Sequence, residues 1–222
     1  MAYIGDKKVL FSPQFHIADG YEEGYNAGHT AGRDVGKQDA YDEFWDTFQR
    51  KGEITPYNYA FCYDRFTDKT YKPKYPIKAN AFNQAFYKSV LTDSKVTIDV
   101  SSATNMAAAF YDARHLKIIR KLVVSGATVF GDGTFANAIS LETLIVDGII
   151  ASDLNLCYSP LNRESIVSVI NALSSAGVHV LSLNRGAVNK AFETAEGSLD
   201  GSRSEEWLAL VNSKSKWTIT LI

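Results

Sequence analysis

Two stretches of this 222-residue chain repeat one another at a fixed offset of 25. Phe110, Ala113 and Leu116 precede the apolar run Leu122-Val123-Val124, and Phe135, Ala138 and Leu141 precede Leu144-Ile145-Val146. The pattern F-x-x-A-x-x-L followed by a β-rich run predicts a compact coil or short helical turn leading into a parallel strand. A unit of that size cannot bury its own apolar face, so neighbouring units must stack. Three further runs extend the ladder, Val96–Val100, Val178–Leu183 and Trp217–Ile222. Centre-to-centre spacings along the five runs are approximately 25, 22, 35 and 39 residues. A period of about 20 to 29 residues with one strand each is the signature of a leucine-rich repeat.

The last two units are longer because each is expected to contain a helix. Ile166, Val169, Ile170 and Leu173 follow the i, i+3, i+4, i+7 spacing of a buried helix face, and Gly177 is placed to stop it. In the final unit, Ser202 to Glu205 reads as a capping box, with Trp207, Leu208 and Val211 as the apolar face. Helix-bearing terminal units with polar outer faces suit the open end of a stack. The Glu196–Gly201 stretch between them reads as a polar loop.

Upstream, Gly20, Gly24, Gly28, Gly32 and Gly36 recur every four residues and take five of the fifteen glycines. On a helix, residues four apart lie nearly above one another, so this row predicts a smooth groove into which another helix can press. Each interior glycine costs about 1 kcal/mol of helix propensity relative to alanine, so such a helix needs partners. Tyr41, Phe44, Trp45 and Phe48 add an aromatic stripe at i, i+3, i+4 and i+7. Together these nine residues form a candidate homo-oligomer interface, with a trimer favoured. The competing reading is a low-complexity leader. The expected organisation is an arm over 1–18, a helical, coiled-coil-like stem over 19–52, an aromatic-rich cap over 53–95, and the solenoid over 96–222. The fold class is thus α/β: a short leucine-rich-repeat solenoid with parallel strands and helical terminal units, preceded by an oligomerisation stem.

FANAISLETLIVDG, residues 135–148, resembles the consensus of the BspA-like leucine-rich repeats of bacterial surface and prophage-encoded proteins. The last segments, SPLNRESIVSVINALSSAG and EWLALVNSKSKWTITLI, look like the terminal module these proteins often carry. The stem, GYEEGYNAGHTAGRDVGKQDAYDEFWDTFQ, is similar to leaders on repeat proteins encoded by prophages of gut Firmicutes. The repeat resemblance covers residues about 100–222. It implies binding and supplies no catalytic residues to carry over. The function expected is a non-enzymatic binding or structural protein, associated with a phage or prophage virion as a tail fibre or receptor-binding part. Its ligand would be a host-surface protein or glycan. The alternative is a cytoplasmic protein-interaction module, such as a phage-encoded inhibitor of a host protein. Surface members of the family carry an export signal. Here the longest apolar run near the N-terminus is Val9-Leu10-Phe11, which predicts neither standard export nor membrane insertion. Lysis would release a virion component without a signal.

Net charge is -2, leaving no basic excess to hold a phosphate backbone, so nucleic acid is not an expected partner. His16, His29, His115 and His179 stand singly, with no metal-ligand spacing, and His179, among valines in a strand, is expected to face solvent. Gly28–Gln38 lacks the first glycine and the Ser/Thr of a phosphate loop, and Gly131–Thr134 lacks the third glycine of a dinucleotide fingerprint. No G-x-S-x-G elbow occurs, so neither catalysis nor a cofactor or metal is expected. Cys62 and Cys157 belong to no C-x-x-C pair; two free thiols are favoured over a disulfide. Tyr57, Tyr59, Tyr63, Tyr71 and Tyr75, interleaved with lysines, are candidate ligand-binding residues, because tyrosines offer rigid amphipathic area. Against that stands a cap covering the first repeat with aromatic bulk.

Overall fold

In the computed structural model, β-rich runs recurring every 20 to 25 residues lie side by side in parallel, each covering its neighbour's apolar face. The structure describes residues 2–4, 7–9, 55–56, 76–94, 96–131, 133–192 and 204–222. Strands β1 (Ala2–Ile4) and β2 (Lys7–Val9) pair antiparallel. A five-stranded parallel sheet then runs in chain order through β3 (Thr55–Pro56), β4 (Ile77–Ala81), β5 (Ile98–Asp99), β6 (Ile118–Val124) and β7 (Thr143–Gly148). Register places Ile77, Ile98, Leu122 and Val146 in one column. A second parallel sheet has the order β10-β9-β8, from β8 (Leu154–Leu156), β9 (His179–Leu183) and β10 (Trp217–Leu221). Helices α1 (Arg163–Ala172), α2 (Arg185–Phe192) and α3 (Glu205–Asn212) belong to the C-terminal part. The architecture is a solenoid-like stack of parallel strands with few helices. The expected stem lies outside the described residues.

The F-x-x-A-x-x-L segments are turn rungs rather than helices. N–H groups of Ala85, Tyr87 and Ser89 bond carbonyls three residues back, while those of Gln84, Phe86 and Lys88 donate to Ala107, Ala109 and Tyr111 of the next rung at 2.6–3.0 Å. Phe110 and Asp112 donate onward in the same way to Thr134 and Ala136. This alternation of local and inter-rung bonds accompanies left-handed residues spaced four apart: Gln84 and Lys88, Ala108 and Asp112, then Gly133 and Asn137. The repeated phenylalanine is explained by stacking. Phe86, Phe110 and Phe135 lie 5.4 and 5.1 Å apart with rings within 8° of parallel, and Ala113, Ala138, Leu116 and Leu141 are buried beneath them.

The ladder begins earlier than expected, because β4 lies within the segment assigned to the aromatic cap. Its sequence, IKANA, buries Ile77 and Ala79 but uses weak β-formers, and Ser89 holds the alanine place of its rung, which hides the repeat. After β7 the strand position is taken by α1. Ser165 and Ser168 Oγ accept the N–H groups of Leu144 and Val146, both at 2.9 Å, so the helix closes the sheet edge. Ile166, Val169, Ile170 and Leu173 are all buried as the spacing predicts.

Several expected details are corrected. Helix α1 stops at Ala172, not near Gly177, because the Leu173 backbone is extended. The cap of α3 is Ser204, whose side chain accepts from the Trp207 N–H, not Ser202. Leu208 is exposed, since the short helix turns only Trp207 fully inward. Helix α2, absent from the sequence expectations, buries Val188 and Phe192 one turn apart. His179 is half-buried with its ring against Trp217 at 4.9 Å, while Val178 and Val180 are the exposed neighbours. Gly148 adopts φ +111°, where a Cβ would run into the Val124 carbonyl, which explains glycine at the end of β7. No described helix is long and apolar enough to cross a membrane.

Candidate binding cleft

The second sheet continues the path of the turn rungs. Phe82, Met106, Phe130 and Leu154 recur at intervals of 24 and are all buried, so β8 occupies the fourth rung position. Leu154 pairs in register with Leu181 of β9, and Leu181 with Ile219 of β10. Between the third and fourth rungs the backbone therefore changes from compact turn to extended strand. Among the described residues, no backbone–backbone hydrogen bond joins residues 130–137 to residues 153–160. The mismatch opens a cleft of about 330 Å³ between Phe130–Ala136 on one side and β8 and β9 on the other.

Periodicity explains which side chains face it. One column runs Asn105, Val129, Asp153, Val180 and Thr218: Asn105 bridges Val129, the Val180 N–H donates to Asp153 Oδ1 at 2.8 Å, and Val180 pairs with Thr218. A second column runs Ala107, Gly131, Asn155, Ser182 and Thr220. Small residues keep this second column low; a Cβ on Gly131 would sit 3.2 Å from that of Ala107. Val129 and Val180, 49% and 39% exposed, flank Asp153 along the first column.

The polar groups are individually anchored. Asn155 Oδ1 accepts the Cys157 N–H at 3.1 Å. Ser182 and Thr220 hydroxyls share a 3.0 Å hydrogen bond, and the Thr134 hydroxyl donates to the Gly131 and Met106 carbonyls. His179 Nδ1 stands 3.7 Å from Asp153 Oδ1. Asp153 is the one ionisable residue among the described residues lining the cleft. Ser182 faces a hydroxyl rather than a base, so this arrangement suits binding by hydrogen bonds. Among the described residues, no group of three or more His, Cys, Asp or Glu could hold a metal ion.

The candidate site residues read from the sequence lie elsewhere. Gly20, Gly24, Gly28, Gly32, Gly36, Tyr41, Phe44, Trp45 and Phe48, and also Tyr57, Tyr59, Tyr63, Tyr71 and Tyr75, all fall outside the described residues. The cleft residues Asp153, Asn155 and Ser182 were missed because Leu-Asn-Leu is too short to read as a strand. The signal was there in the interval of 24 from Val129 to Asp153. Comparison with family models, characterised proteins and solved structures finds no match for this chain.

Proposed function

We propose that this is a non-enzymatic binding protein of leucine-rich-repeat type, with the cleft between the third rung and β8 as its ligand site. The carrying observation is the break in backbone pairing, which leaves anchored polar side chains facing an open volume of ligand size. The resemblance to BspA-like repeats favours a phage or prophage virion component that recognises a host-surface protein or glycan. The glycine row of the stem suits self-assembly, with a trimer favoured, and would multiply weak single-site binding by avidity. The test is binding of fluorescently labelled full-length protein to intact Gram-positive cells. Val180→Trp fills the cleft from an exposed strand position and is expected to abolish binding without unfolding the protein. Undiminished binding by that variant removes the cleft from the function, and no binding by the wild-type protein overturns surface recognition.

A further inference from the structure

The wiring of the cleft selects one ligand chemistry, given that the cleft is the ligand site as proposed above. Asp153 immediately precedes β8 and Asn155 lies within it; both line the cleft, and the exposed-buried alternation over residues 153–156 puts them on the same side. Asp153 commits Oδ1 to the Val180 N–H, and with its side chain 71% exposed Oδ2 remains an acceptor. Asn155 Oδ1 accepts the Cys157 N–H, which fixes the orientation of the amide and with it the direction in which its NH₂ group can donate to a ligand. Ser182, directly opposite Asn155 in the register, adds a hydroxyl. A strong acceptor beside a fixed donor is matched by neighbouring hydroxyl groups, which both give and take hydrogen bonds. An ammonium or guanidinium group offers only donors and would leave the Asn155 NH₂ unmatched. A carboxylate or phosphate offers only acceptors and would face the Asp153 charge, with no Lys or Arg among the described lining residues to offset it. Val180, exposed at the cleft, supplies apolar surface for the C–H face of a ring.

We infer that the cleft binds a neutral hexopyranose residue of a glycan, with Asp153 accepting from one hydroxyl and Asn155 donating to another. The test screens the full chain on an array of neutral oligosaccharides beside their sialylated and sulfated counterparts. Titration calorimetry then follows on the neutral sugars retained. Asn155→Asp is nearly isosteric and keeps the acceptor for the Cys157 N–H while replacing the donor, so it tests chemistry rather than folding. It is expected to weaken binding by about tenfold or more. Asp153→Asn, which retains an acceptor, should weaken it less than Asp153→Ala. Equal or better binding of anionic glycans, or sugar binding unaffected by Asn155→Asp, overturns the inference. Absence of any glycan binding also overturns it. In that case binding to cells that survives periodate but not protease leaves surface recognition standing with a protein ligand. Loss of all cell binding removes both.

Discussion

Leu144 and Ile145 are neighbours on β7, yet Leu144 is 1% exposed in the core while Ile145 lies on the opposite, half-buried face. Leu144→Ala is expected to cost about 2–5 kcal/mol, from lost burial and the cavity left behind, and Ile145→Ala distinctly less. Chemical denaturation of the two variants side by side checks this; a larger loss at Ile145 would mean the strand register is off by one residue. At Cys157, burial pushes the thiol above its ordinary value, against smaller opposing contributions from its backbone hydrogen bond and from the Asn155 side chain. A raised pKa means less thiolate at a given pH. Alkylation of Cys157, followed site by site with mass spectrometry, should therefore reach half its maximal rate at higher pH in the folded than in the unfolded chain. A folded-state midpoint at or below the unfolded one would show that the thiol is not desolvated.

At the level of elements, the transition from strand to helix after β7 depends on two serines one helical turn apart. A strand edge needs acceptors for its N–H groups, and a helix has none to spare along its side except through side chains. Ser165 and Ser168 supply them to Leu144 and Val146, and the Asn162 side chain caps the same helix at Ser165. Ser165→Ala leaves the Leu144 amide buried without a partner and is expected to cost about 1–3 kcal/mol. Ser168→Ala should cost less, because Val146 is only partly buried. Hydrogen exchange offers a direct readout. The Leu144 amide should exchange faster in Ser165→Ala, while the Leu122 amide, inside the sheet, stays protected; unchanged protection at Leu144 would show that the helix closes the edge by shielding alone.

For the whole molecule, a stack of this kind has polarity: among the described residues, helices α1, α2 and α3 all belong to its C-terminal part. The chain upstream of β3 carries the glycine row on which self-assembly is proposed. Light scattering of the full chain is expected to give a homo-oligomer, and of a chain beginning near Thr55 a monomer. Gly28→Leu sharpens the test. Leucine is the better helix former, so helicity would rise in an isolated helix, whereas in a close-packed bundle the side chain holds backbones apart and assembly loosens. Tighter assembly of Gly28→Leu would exclude the glycine row as the contact surface.

The sequence by itself determined the stacking. Phe110 and Phe135, Ala113 and Ala138, and Leu116 and Leu141 repeat because each must meet its counterpart one unit away, and that demand is visible as spacing. The buried face of α1 was legible for the same reason: four apolar residues at helical spacing have one way to be covered. The cleft was not legible. Asp153 and Asn155 fall on the 24-residue interval, but they face an open volume only because the fourth rung is extended while the third is a turn. That change of conformation is imposed by pairing of β8 with β9, 27 residues downstream in register, and by a helix taking the next strand position. Local spacing encodes which residues are buried; which backbone groups go unpaired, and so where a ligand fits, is decided by contacts between segments distant in the chain.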